Sequence, residues 1–182
     1  KINILLISIK MSQQPSLKIK MTKLYKVTHL SEGSIMKLNN DNLAADFHLV
    51  IPCFEESMRL PSYLVDLATK LKSQSYKTNI LVVDDGSREE ERQKIKKIIS
   101  ELRESHDLIL KPIFLEKNMG KGFAVRSGWC TNSKATWLAF ADADGATSAD
   151  EVLRVFDRIY RENDVMKCYL GSRIRRLGYS GL

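Results

Sequence analysis

Two aspartates, one residue apart, end an apolar segment in the stretch FADADGAT, residues 140–147. Residues i and i+2 of an extended segment point to the same face, so Asp142 and Asp144 can present oxygens together to one hard divalent cation. Mg²⁺ or Mn²⁺ held by two carboxylates keeps coordination positions for diphosphate oxygens. The alternative is an Asp-Gly turn that leaves a strand and binds nothing. The surrounding elements must decide between these two interpretations.

From about residue 46 onward, short apolar runs alternate with segments of helical periodicity. Each parallel crossover needs a helix-sized connection, so the alternation predicts an α/β fold: a mostly parallel sheet with helices on both faces. The predicted strands are 48–52, 79–85, 108–116, 136–142 and 166–172.

The predicted helices lie between these strands. Leucines recur at helical spacing from Leu60 to Leu71, an apolar face runs from Ile95 to Leu102, and a third helix is predicted over 122–132. The fourth has its apolar stripe between Val152 and Ile159. Two S-x-x-E patterns predict capping boxes at the starts of the second and fourth helices, and they are Ser87 with Glu90 and Ser148 with Glu151.

Charged residues or glycines follow each predicted strand. Ligands of parallel α/β sheets bind beyond the carboxyl ends of the strands, so these residues predict one shared cleft. The stretch MGKGF fits neither a Walker loop nor a dinucleotide-binding fingerprint. The residues at the strand ends are Glu55, Glu56, Asp84, Asp85, 118–122, Asp142, Asp144 and Arg173.

Composition narrows the class of protein. The 182 residues are 43% hydrophobic and 28% charged, enough to bury one core, and the net charge of +7 favours anionic partners. No dense basic run with interleaved aromatics is present, which disfavours nucleic acid as a partner. Cys53, Cys130 and Cys168 form no C-x-x-C pair, so we expect reduced, buried thiols.

The N-terminal stretch KINILLISIK is apolar but far shorter than the roughly 18 to 20 residues that span a bilayer. The residues that follow are polar and lack sustained periodicity. We therefore predict that residues 1–45 are a flexible lead-in and that 46–182 form one domain.

Five segments together resemble a known family. VIPCFEE, LVVDDGS, NMGKGFAVRSG, ADADG and GSR, in this order, are similar to the nucleotide-sugar-binding half of family 2 inverting glycosyltransferases with the GT-A fold. The resemblance covers about residues 46–175. Within the family, FADADGAT and the following GSR look most like the dolichyl-phosphate β-glucosyltransferases. The resemblance implies transfer of glucose from UDP-glucose to dolichyl phosphate at the cytosolic face of the endoplasmic reticulum membrane.

The resemblance also implies roles for individual residues. Asp142 and Asp144 match the family's metal-binding D-x-D, for Mg²⁺ or Mn²⁺. Arg173 is the candidate catalytic residue, because a guanidinium can grip the acceptor phosphate. The residues that match the family's nucleotide-sugar-binding positions are Pro52, Glu55, Asp84, Asp85, Gly120, Lys121 and Gly122.

Three functions stay open on the sequence. The first is the dolichyl-phosphate glucosyltransferase, and the second is a mannosyl or other family 2 transferase with a different donor. The third is a non-catalytic nucleotide-sugar-binding fragment, because relatives of this kind continue well past GSR and the resemblance implies a chain truncated at its C-terminus. A membrane surface is an expected partner, and nucleic acid is not.

Overall fold

The fold was analysed in a computed structural model that describes residues 2–8, 44–131, 135–162 and 168–172. Strands and helices alternate along these ranges, as the sequence predicts. The strands are β1 (Ile2–Ser8), β2 (Phe47–Cys53), β3 (Thr78–Asp84), β4 (Ile113–Phe114), β5 (Trp137–Ala141) and β6 (Cys168–Ser172). The helices are α1 (Leu60–Lys72), α2 (Glu89–Ser105), α3 (Lys121–Trp129) and α4 (Ala149–Glu162).

The strands form one sheet in the order β4-β3-β2-β5-β1-β6. The four strands β4, β3, β2 and β5 are parallel to one another, whereas β1 runs antiparallel to both β5 and β6. The chain leaves β2 towards β4 and later returns to the other side of β2 with β5. The predicted mostly parallel α/β sheet is therefore confirmed, and its topological switch point lies between β2 and β5.

The N-terminal segment departs from the predicted flexible lead-in. Residues 2–8 form a strand that pairs with β5 along Ile4–Ser8 and with β6 on its other edge. An apolar stretch of seven residues suits a sheet position between two neighbours, where its backbone groups are hydrogen-bonded on both sides. Residue 1 and residues 9–43 of the predicted lead-in lie outside the described ranges.

Helices cover both faces of the sheet, because successive strand residues point to opposite sides. Leu49 and Ile51 join one core cluster with apolar residues of α1, α2 and α4, and Phe47 stacks on Phe156 of α4 with ring centroids 4.2 Å apart. Val50 joins the second cluster, with Val125 and other residues of α3. Both layers are needed to bury strands that are apolar on each face.

The predicted third strand, 108–116, is shorter in the structure. Only Ile113–Phe114 pair with β3 as a strand, and Ile109 makes an isolated bridge to Ile80. Pro112 lies between these two points and has no N–H to donate to a ladder. The proline therefore interrupts the edge strand.

One of the two predicted capping boxes is wrong and the other is half present. Ser87 does not cap α2; its hydroxyl donates to Asp84, and Arg88 is the N-cap residue with no side-chain cap. Leaving the buried Asp84 carboxylate without hydrogen-bond donors would cost more free energy than leaving a solvated helix end uncapped, because water can bond to the helix end. Ser148 does accept a hydrogen bond from the Glu151 N–H, at 3.3 Å, at the start of α4.

A buried histidine on β2 predicts how stability depends on pH. His48 is fully buried, and its Nε2 donates to the Gly128 carbonyl of α3 at 3.1 Å. Burial lowers the pKa of His48 from 6.5 to about 4, an effect that the hydrogen bond to Gly128 only partly offsets. Because the folded state prefers the neutral ring, its contribution is complete above pH 6.5 and is lost as the pH falls towards 4. We expect a loss of about 2 kcal/mol between about pH 7.5 and pH 5.

Urea unfolding at these two pH values measures this loss. His48→Gln keeps an N–H donor but does not titrate, so the variant is expected to lose about 2 kcal/mol less than the wild type over the same interval. Equal losses in the two proteins would show that His48 does not control acid stability.

Candidate functional site

A cleft of about 290 Å³ opens at the carboxyl ends of β2, β3 and β5, beside the switch point of the sheet. Loops after these strands supply its walls, and the start of α3 closes one side. The described residues that line it are Pro52, Cys53, Phe54, Glu56, Asp85, Asn118, Gly120, Lys121, Asp142, Ala143 and Asp144. The predicted shared cleft at this edge is therefore present.

The two aspartates meet in this cleft through a turn, not through an extended segment. β5 ends at Ala141, and the Gly145 N–H points back to the Asp142 carbonyl at 3.4 Å. Ala143 between them is buried, Asp144 is exposed, and Asp144 Oδ1 accepts from the Ala146 N–H at 2.9 Å. Gly145 has a φ of +66°, which glycine adopts without strain. The stretch is an Asp-Gly turn and the turn lines a cleft, while cation binding by its two carboxylates stays a prediction.

The turn before α3 places the ammonium of Lys121 in the same cleft as the two aspartates. Gly120 is the N-cap residue with a φ of +89°, and its N–H donates to Asn118 Oδ1 at 3.1 Å. Lys121, the first residue of α3, pairs its ammonium with Asp142 Oδ1 and lies 5.0 Å above the centre of the Phe140 ring. Gly122 is exposed beside the cleft and is not among its lining residues.

The neighbouring aspartates of LVVDDGS have different positions. Asp84 is fully buried, and both of its carboxylate oxygens accept hydrogen bonds from Ser87 of its own loop. It lies beneath the cleft, and its role as the residue that reads the base stays a prediction. Asp85 lines the cleft, and its Oδ1 accepts from the Met119 N–H at 2.9 Å. That bond ties the end of β3 to the NMGKG turn.

Glu55 links two loops beside the cleft and is not among the residues that line it. Its carboxylate accepts three hydrogen bonds from Arg88, two from the guanidinium and one from the backbone N–H, at 2.7 to 3.0 Å. These bonds lower the pKa of Glu55. Its φ is +56°, and its N–H donates to Ser87 Oγ at 2.9 Å. Direct substrate binding by Glu55 stays a prediction, as does that by Pro52, which does line the cleft.

Three lining residues were missed as candidate binding residues. Cys53 is the last residue of β2, and burial, followed by the charge of Asp84, raises the pKa of its thiol, so it contacts the cleft in the protonated form. Phe54 is about half exposed at the rim. Ala143 is buried between the two aspartates of the turn. Each lies within two residues of the end of a predicted strand, and that position is the signal that identifies them. Arg173, the candidate catalytic residue, lies outside the described residues.

The charge of the described lining suits a divalent cation. Glu56 is neutralised by Arg59, which leaves the carboxylates of Asp85, Asp142 and Asp144 against the single ammonium of Lys121. An anionic diphosphate would therefore meet a net negative surface here. No group of three acidic, histidine or cysteine side chains in the described part of the chain is arranged to hold a metal by itself. A divalent cation in this cleft would therefore be held by two carboxylates, and oxygens of a bound ligand would complete its coordination.

An open α/β sheet with a polar cleft at its switch point defines the class of proteins that bind ligands at the carboxyl ends of parallel strands. The profile of "Glycosyl transferase family 2" matches residues 48–176, most of the chain. The chain belongs to glycosyl transferase family 2. The family assignment made from the five segments is thus confirmed.

Curated relatives share the same name. The chain is 33% identical over 132 residues to the dolichyl-phosphate beta-glucosyltransferase of Dictyostelium discoideum, a match that covers 69% of this chain and 39% of that protein. It is 34% identical over 112 residues to the Saccharomyces cerevisiae protein of the same name, with coverages of 61% and 33%. The chain thus matches less than half the length of each of these relatives.

Solved structures show weaker likeness. The mannosyltransferase PcManGT from Pyrobaculum calidifontis, solved with GDP-Man and Mn²⁺, has a TM-score of 0.43 and 16% identity, covering 71% of this chain and 36% of that one. S. aureus TarS residues 1–349 has a TM-score of 0.44 and 19% identity, covering 64% and 32%. At these scores, neither likeness supports a statement about the ligands of this chain.

Proposed function

We propose that this chain binds UDP-glucose in the cleft and transfers glucose to dolichyl phosphate with inversion. The observation that carries the proposal is the meeting of Asp142, Asp144 and Lys121 at the carboxyl ends of the parallel strands. The names of the curated relatives supply the donor sugar and the acceptor class.

Asp142 and Asp144 are the residues that would hold Mg²⁺ or Mn²⁺. When bound, such an ion supplies charge neutralisation for the departing nucleoside diphosphate. Lys121, the first residue of α3, lines the cleft, where its ammonium can bind diphosphate oxygens. The N-terminus of α3 adds its positive partial charge on the same side.

The acceptor removes the need for a general base. A phosphate monoester has a second pKa of about 6 and is largely ionised near neutral pH. The remaining task of the protein is to hold that oxyanion in line with the anomeric carbon and to exclude water. Arg173 is proposed for the grip on the acceptor phosphate, because a guanidinium binds phosphate oxygens in a fork.

The site of action is proposed to be the cytosolic face of the endoplasmic reticulum membrane, since the acceptor is a lipid. None of the helices in the described ranges has the length and apolar character that a bilayer crossing requires. The net charge of +7 favours contact with an anionic membrane surface.

Donor choice tests the proposal. Calorimetric titration with UDP-glucose and with GDP-mannose, each with and without Mn²⁺, is expected to show binding of UDP-glucose that requires the ion. Labelled UDP-glucose with a short polyprenyl phosphate in detergent then measures transfer. Preference for GDP-mannose would favour a mannosyltransferase, and donor binding without a lipid product would favour the non-catalytic alternative. A folded chain that binds neither donor would refute the proposal.

A further inference from the structure

Tyr63 of α1 carries a polar group that the free fold does not use. The side chain is 7% exposed, and its hydroxyl has no hydrogen-bond partner among the residues that the structure describes. Leaving a buried hydroxyl unpaired costs about 1 to 3 kcal/mol relative to a satisfied one. Phenylalanine would occupy the same space without that cost, so the hydroxyl is an unexplained feature of the free protein.

The ring of Tyr63 lies against the turn that carries the two aspartates. Its Cδ2 and Cγ atoms are 3.6 and 3.8 Å from the position that a Cβ on Gly145 would take. Gly145 directly follows Asp144, and its N–H points to the Asp142 carbonyl. A rigid aromatic ring therefore supports the turn from the side of α1.

The surroundings keep this hydroxyl protonated. Burial, followed by the negative charges of Asp142 and Asp144 and then of Asp66, raises the pKa of Tyr63. A tyrosine hydroxyl is protonated at neutral pH and can donate, and the turn beside the ring carries two carboxylates that can accept.

We propose that Tyr63 is a positioning residue for the aspartate turn, whose hydroxyl donates a hydrogen bond to a carboxylate of that turn when the cleft binds a nucleotide sugar and its cation. The aspartates are then held in their binding position by α1. The inference rests on the proposed function for the identity of the ligand. It goes beyond that function because it assigns a role to a residue that does not line the cleft.

Tyr63→Phe and Tyr76→Phe form a matched pair of variants. Both delete one buried tyrosine hydroxyl, but the Tyr76 hydroxyl donates to Asp157 at 2.9 Å and its ring packs in the core against Phe47. We expect Tyr63→Phe to keep or raise the urea unfolding midpoint and to weaken binding of UDP-glucose with Mn²⁺ about tenfold, about 1.4 kcal/mol. Tyr76→Phe is expected to lower the midpoint and to leave binding unchanged.

Two results would overturn the inference. Wild-type affinity in Tyr63→Phe would show that the hydroxyl does not position the turn. A fall of its unfolding midpoint to match Tyr76→Phe would show an ordinary structural hydroxyl. Failure of the proposed function is distinguishable, because the wild type would then show no binding of UDP-glucose in the presence of Mn²⁺. The inference would then fall with it, since no ligand would engage the turn.

Discussion

Replacing both aspartates of the turn by alanine, Asp142→Ala with Asp144→Ala, is expected to weaken UDP-glucose binding in Mn²⁺ at least about 100-fold. That factor corresponds to about 2.7 kcal/mol of binding free energy. The physical reason is that the two side chains are the acidic pair available to a cation at the turn, and without that cation only Lys121 among the described lining residues opposes the charge of the diphosphate. Calorimetric titration of donor into protein with saturating Mn²⁺ measures the loss.

The fold itself should survive the double substitution. Both residues follow the end of β5, Asp144 is exposed, and the substitutions remove two like charges. Asp107→Ala is a suitable control, because Asp107 is an exposed aspartate in the connection between α2 and β4, outside the cleft lining. Asp107→Ala should bind the donor as the wild type does. Unchanged donor affinity in a folded double variant would refute a role of the turn in binding.

Gly86→Ala is expected to destabilise the protein by about 3 kcal/mol or more, the largest effect on stability that we predict. Gly86 has a φ of +75°, and a Cβ there would lie 2.2 Å from the Lys117 carbonyl carbon and 2.4 Å from the Asn118 nitrogen. These are backbone atoms that cannot rotate away. The substitution would push the NMGKG turn from β3 and stretch the bond between Asp85 and the Met119 N–H. Donor affinity should therefore fall together with stability.

Two other glycines separate the causes of this effect. Gly120 has a φ of +89° but open space where a Cβ would lie, so Gly120→Ala is expected to cost about 1 kcal/mol from backbone strain alone. Gly122 lies in α3 with open space and an ordinary φ, so Gly122→Ala should be neutral or stabilise by about 0.5 to 1 kcal/mol. Urea unfolding ranks the three variants, and a Gly86→Ala variant as stable as Gly122→Ala would contradict the close approach.

Much of the fold could be predicted because its cause is local. The short apolar runs of β2 and β3 and the helical spacing of leucines in α1 indicate which side chains need burial. The order of the strands along the chain then placed the acidic residues at one edge. The predictions failed where a distant partner or a buried charge decided the local structure. Ser87 donates a hydrogen bond to the buried Asp84 carboxylate instead of capping α2. Residues 2–8 pair with β5 and β6, which are far from them in the sequence.

The sequence by itself determined the family, the α/β sheet and the presence of an acidic pair at the end of β5, because residue type and spacing are local properties of the chain. Only the tertiary structure decided which neighbouring carboxylate faces the cleft and which lies beneath it. Asp84 and Asp85 are adjacent in the chain, yet one is satisfied by Ser87 and the other by Met119. The tertiary structure likewise placed the Tyr63 ring against the aspartate turn. The contacts of Asp85 with Met119 and of Tyr63 with Gly145 join residues tens of positions apart, and their geometry depends on packing that no local pattern records.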